Sequence, residues 1–147
     1  GMALDVERKS RDYLYGRLLS VADQIESTAL YLSGESRETT AARLMQRFSD
    51  RPYSTWRTIE TALVPYQARI KSKRPGLHVG YNELLDDIHH AFSSTDFSHD
   101  NRLSGEYLLG YHCQRKWLRD HKRKDGQWVL KTTDEPDIQV SDAEEEK

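Results

Sequence analysis

Apolar side chains return at helical spacing through most of this chain. Tyr13, Leu14, Leu18, Val21, Ala22, Ile25, Ala29 and Leu32 recur at threes and fours, which predicts a helix from about residue 8 to 33. Ser33-Gly34 ends it, since glycine readily takes the left-handed terminal conformation. Ala41, Leu44, Met45 and Phe48 repeat the pattern more briefly, with capping residues between Ser36 and Thr40. Asp50-Arg51-Pro52 breaks this second helix, and Pro52 suits the first turn of a third. Trp56, Ile59, Leu63, Tyr66 and Ile70 then form the cleanest stripe, interrupted by Pro65, which kinks the helix or splits it into two shorter pieces; a kink is the favoured reading. KSKRPGLHVG reads as a basic connector. A fourth helix carries Tyr81, Leu84, Leu85, Ile88 and Phe92, and SSTDFSHDN reads as a loop. Leu103, Tyr107, Leu108, Tyr111, Trp117 and Leu118 mark a fifth helix running to about Arg123, where Asp125-Gly126 stops it. QWVLKTT has strand-like character but nothing evident to pair with, so it reads as extended tail.

The expected fold class is therefore all-α, a five-helix bundle over residues 8–124. Residues 1–7 are expected to be a tag scar and flexible start, the glycine before Met2 looking like an expression scar; residues 125–147 are expected to be an extended, disordered acidic tail. Two glycines inside the helical stripes, Gly16 and Gly110, each cost about 1 kcal/mol against alanine. That cost is most easily offset where two backbones come close, so the first and last helices are expected to cross there.

Composition and motif content narrow the chemistry. At 147 residues the chain has room for one domain. It lacks both the ~20-residue apolar run of a membrane span and the apolar core of a signal peptide. The single Cys113 fits a reducing cytoplasm and a small buried side chain. Asp86, Asp87, His89, His90, His99, Asp100 and His112 are the candidate metal or acid–base groups, but no HExxH or CxxC spacing joins them. There is no GxSxG, and Cys113 lies mid-helix between His112 and Gln114, whose side chains diverge from it. GxxxxGK[ST] and GxGxxG are also absent, so no phosphate-cradling loop is evident. The expectation is a protein that is not an enzyme and has no catalytic residue, cofactor or metal.

Charge supplies the positive signal. Residues 134–147 carry seven acids and one lysine, leaving 21 basic and 17 acidic side chains on the rest of the chain. The body is mildly cationic, the tail strongly anionic. Such a tail is either a solubilising terminus or a nucleic-acid mimic shielding the body. The body's cations concentrate in Arg69, Lys71, Lys73 and Arg74, and in Arg115, Lys116, Arg119, Lys122, Arg123 and Lys124. A helix C-terminus favours one or two such charges by about 0.3–1 kcal/mol each, not six within ten residues. Phosphate is the natural partner for that density, and the absence of an evident recognition helix or zinc finger points to backbone contact rather than base readout.

Read in order, DYLYGRLLSVADQIE, RFSDRPYSTWRTIETALVPYQARI, YNELLDDI and LSGEYLLGYHCQRKWL resemble the C-terminal helical region of the Csd-type large subunit of subtype I-C CRISPR effector complexes, over roughly residues 10 to 120. The opening motif with Gly16 and Arg17 and the closing LGYHCQR carry most of the likeness. The resemblance implies a helical bundle acting as small subunit of an RNA-guided complex. It would sit along the inner face, supporting the guide–target heteroduplex and the displaced strand, while a separate helicase-nuclease cuts. Met2 just before the matching region fits a separately translated subunit, and an excised domain would look the same. Arg17, Arg115 and Lys116 map onto basic positions of the family motifs; Arg17 could equally be structural. Implied partners are the other effector subunits, crRNA and target DNA, and a second copy of the chain, with no membrane. The rival expectations are a protein–protein scaffold that never touches nucleic acid and, more weakly, a metal-dependent hydrolase using the histidines.

Overall fold

In a computed structural model that describes residues 3–132, the most apolar segment becomes the central element. Helix α1 (Arg11–Leu32) buries every residue from Tyr13 to Ala22, so it is enclosed on all sides rather than along one stripe. There follow α2 (Thr40–Arg43), α3 (Met45–Asp50), α4 (Pro52–Ala62), α5 (Val64–Lys73), α6 (Pro75–Ala91) and α7 (Glu106–Asp120), then strands β1 (His121–Lys124) and β2 (Gln127–Leu130). The core packs Leu14, Leu18, Val21 and Ile25 of α1 against Phe48, Trp56, Ile59, Ile70, Tyr81, Ile88, Tyr107 and Leu118 from the surrounding helices.

The closest approach lies between α1 and α7. A Cβ added to Gly16 would overlap the Tyr107 carbonyl oxygen and stand 2.7 Å from the Tyr111 nitrogen. One added to Gly110 would overlap the Tyr13 carbonyl. The crossing expected from the two glycines is therefore present, and it is backbone on backbone. Asp12 accepts the Ser104 N–H, Tyr13 meets Gly110, and Arg17 reaches Gln114, so the two helices run in the same direction.

The five-helix expectation is overturned: the described residues form seven helices and a two-stranded antiparallel sheet. Two of the expected helices divide. The second becomes the single turn of α2, capped by Thr39 Oγ1 on the Ala42 N–H at 3.1 Å, and then α3 beyond Leu44 (φ −99°, ψ 11°). The third divides before Pro65, which has no N–H to donate into the ladder. Leu63 stays near-helical at φ −74°, ψ −18°, and its N–H and C=O still bond Ile59 and Gln67, so α5 follows almost directly from α4.

The basic connector is also corrected. Pro75 opens α6, and the link shrinks to Arg74 (φ −142°, ψ 73°), pushed out of helical space because proline follows it. Arg51 before Pro52 has nearly the same angles, φ −141° and ψ 73°.

The fifth helix stops at Asp120, and HKRK is a strand. Asp125 and Gly126 adopt positive φ, 51° and 74°, the geometry of a two-residue type I′ hairpin turn. QWVL thus finds its partner in the four residues just before the turn, with Arg123 opposite Trp128 and Lys124 opposite Gln127. The polar loop after α6 is pinned to α1: Arg11 donates to the carbonyls of Asp96, His99 and Asn101. The expected acidic tail from residue 134 lies outside the described residues.

Gly16→Ala or Gly110→Ala should each destabilise the fold by about 3 kcal/mol, at the upper end of core overpacking. Gly105→Ala, where a new Cβ meets nothing within 4 Å, should change it by less than about 0.5 kcal/mol. Urea unfolding followed by tryptophan fluorescence checks both; equal effects at all three positions would contradict the crossing.

Candidate nucleic-acid interface

The cations that share one segment of sequence do not share one environment. Arg17, Arg74 and Arg123 are buried. Arg17 Nε donates to Gln114 Oε1 at 2.8 Å between α1 and α7, and burial pulls its guanidinium below the ordinary arginine range against the attraction of Tyr13 and Asp87. Arg123 lies against the bare backbone of Gly80 and over the Trp128 ring at 5.5 Å, with Nη2 3.0 Å from Glu83 Oε1. It fastens the hairpin to α6. Arg17, for which a structural role was the alternative, Arg74 and Arg123 therefore lie within the fold rather than on the outer basic surface.

A second group is half-exposed or exposed but engaged. Arg69 pairs with Glu35 at 2.9 Å and lies over Tyr66, while Lys73 Nζ donates to the Leu32 carbonyl at 3.2 Å. These residues hold the C-terminal end of α1, and among the described residues neither Lys71 nor Lys73, both exposed, forms an ion pair. Lys116 pairs with Asp120 at 2.6 Å, a contact that holds the Asp120 carboxyl below its usual range.

What remains on α7 is a coherent outer face. Leu108, His112, Arg115, Lys116 and Arg119 are exposed at spacings of four, three, one and three, while Tyr107, Gly110, Tyr111, Gln114 and Leu118 are buried. The glycine crossing fixes which side is which. Burial pushes the Tyr111 phenol upward, with Asp23 adding to the shift and Arg115 opposing it. Neither Arg115 nor Arg119 forms an ion pair among the described residues. Beyond the helix the strand alternates: Arg123 points inward with Trp128, and Lys122 and Lys124 lie on the opposite face. Lys124 is exposed at the hairpin tip.

The histidine and carboxylate candidates do not assemble. His89 Nδ1 lies 2.7 Å from its own helix carbonyl of Leu85, and His90 Nδ1 lies 2.8 Å from the backbone oxygen of Asp86 rather than its carboxylate. Asp100 serves α4, accepting the Ser54 N–H and hydroxyl at 2.8 Å each. Among the described residues no three His, Cys, Asp or Glu side chains gather as a metal would require. No helix there is long and apolar enough to cross a membrane.

A cavity of about 470 Å³ lined by Arg17, Asp87, Trp117 and Trp128, among others, has no counterpart in the sequence patterns. Its walls come from segments more than a hundred residues apart, and only the density of tryptophan near the C-terminal end hinted at it.

A helical domain whose closing helix turns a basic face outward is thus the class that fold and site define. The chain belongs to the family described as CRISPR-associated protein (Cas_Csd1), whose family model matches residues 1–119. That span covers α1 to all but the last residue of α7, and so includes Arg115 and Arg119. No curated protein matches the chain.

Arg123→Ala should cost about 2 kcal/mol through lost packing on Gly80 and Trp128, whereas Lys124→Ala should stay within about 0.5 kcal/mol. Thermal or urea unfolding of the two variants distinguishes a structural from a surface cation. Equal small losses would return Arg123 to the candidate interface.

Proposed function

We propose that the chain is a non-catalytic subunit of a type I-C CRISPR RNA-guided interference complex, working in the cytoplasm with the other effector subunits and crRNA. It contacts the phosphate backbone of the displaced single strand or of the guide–target heteroduplex. The observation that carries this reading is the row of Arg115 and Arg119 on the outer face of α7, without ion pairs among the described residues and inside the span that matches a CRISPR-associated family. Lys124 and Lys71 extend the exposed cationic surface, while Lys116 can exchange Asp120 for a phosphate. In RNA-guided recognition base pairing reads the sequence, so a protein subunit needs cationic surface rather than a base-reading element.

A second reading has its own support. Arg17 and Arg123 are spent inside the fold, and Arg69 and Lys116 are paired, so the free charge is smaller than the sequence suggests. A protein–protein scaffold in the same complex would need no more than this.

Arg115→Glu together with Arg119→Glu, both at exposed positions, should leave the helical circular dichroism unchanged. In a reconstituted complex this pair should lower R-loop formation about tenfold or more. R-loop formation at the unmodified level would favour the scaffold reading and reject the phosphate contact.

A further inference from the structure

The cavity of about 470 Å³ lies where α1, α6, α7 and β2 meet beneath the N-terminal segment. Leu84, Ala91, Trp117 and Trp128 make apolar walls, and Arg17 and Asp87 supply a donor and an acceptor. Trp117 and Trp128 stand edge to face, with ring centroids 5.3 Å apart. Arg17 is 6% exposed, and with Nε committed to Gln114 its two terminal nitrogens donate to nothing among the described residues. Those nitrogens face the cavity, where an acceptor on a ligand could take the place of water. Asp87 lines the same cavity, and no ion pair joins it to Arg17 among the described residues. The space therefore offers an apolar corner, one indole face meeting the edge of the other, with hydrogen-bonding groups of opposite sign.

A second cavity of about 200 Å³ shares Leu4 and Trp117 with the first and is also lined by Lys116, Asp120 and His121. Trp117 thus lines both cavities. His121 stacks on Trp117 at 4.0 Å and 13°. A polyanionic strand lying on Lys116 and Arg119 would pass the mouth of the slot.

We propose that this cavity receives one nucleobase turned out of a single strand, stacked on one of the Trp117 and Trp128 rings against the edge of the other, and held at its own edge by Arg17 and Asp87. Aromatic stacking makes such pockets hospitable to any base. The pairing of guanidinium with carboxylate favours guanine, which presents O6 and N7 acceptors to arginine and N1–H and N2–H donors to a carboxylate.

The proposal rests on the backbone-contact reading and is separable from it. The probe is guanosine 5′-monophosphate against uridine 5′-monophosphate, which carry the same phosphate. Titrated into the full chain, the guanine nucleotide should quench tryptophan emission saturably and bind about tenfold more tightly. Ala91→Phe, which fills the slot, should remove this quenching while leaving the salt-sensitive binding of a thymidine oligonucleotide intact. Asp87→Asn, at an exposed position of α6, should erase the preference for guanine without altering the fold. Arg115→Glu with Arg119→Glu should weaken the oligonucleotide and spare the mononucleotide. Equal, unsaturable quenching by both nucleotides would overturn the pocket, as would guanine binding that survives Ala91→Phe. Saturable quenching by an acidic tryptophan-free peptide but not by nucleotides would assign it to a protein partner instead.

Discussion

The contact between the backbones of α1 and α7 is the constraint on which the rest depends. Gly16 and Gly110 let the two helices meet without side chains between them, each facing a carbonyl of the other helix. No larger residue fits either position, so the register of α7 on α1 is set to within a residue. That register brings Arg17 to Gln114, turns Tyr107, Tyr111 and Leu118 inward, and leaves Arg115 and Arg119 outward. The same docking carries the chain out of α7 in the direction that lets the hairpin fold back on α6, where Gly80 accepts Arg123 and Trp128 at van der Waals range. A close-packing face and a cationic face coexist on one helix because the crossing separates them by rotation about its axis.

Much of this was legible in the sequence. The apolar periodicity placed α1, α6 and α7, and the unfavourable mid-helix glycines pointed to the crossing. The differences arise where one local signal is compatible with two structures. Asp125-Gly126 serves as a helix stop and equally as a type I′ turn, and the turn was the better reading once QWVL needed a partner. Pro75 signals a start as readily as a break, since proline at the first helical position gives up no ladder bond. The division at Leu44 has no comparable sequence mark.

The cation cluster was the least legible part, for a physical reason. Whether an arginine faces water depends on partners that helical spacing does not reveal: Gln114 for Arg17, ninety-seven positions on, and Gly80, Glu83 and Trp128 for Arg123. Six basic residues in one run resolve into a buried strut, an ion-paired lysine and a smaller exposed set. The charge density that first suggested polyphosphate is thus halved by folding, while its alignment on one helix face becomes clearer. A modest set of aligned, unneutralised cations is suited to a subunit that completes a groove with its neighbours rather than gripping a strand alone.

The most direct measurement is the salt dependence of single-strand DNA binding by the full chain, expressed as the slope of log affinity against log salt. Phosphate contact by the outer face of α7 requires a linear fall of about 0.7 per cation engaged, so roughly two to three for Arg115, Arg119, Lys116 and Lys124 acting together at partial occupancy. A slope indistinguishable from zero, with or without detectable binding, would contradict it.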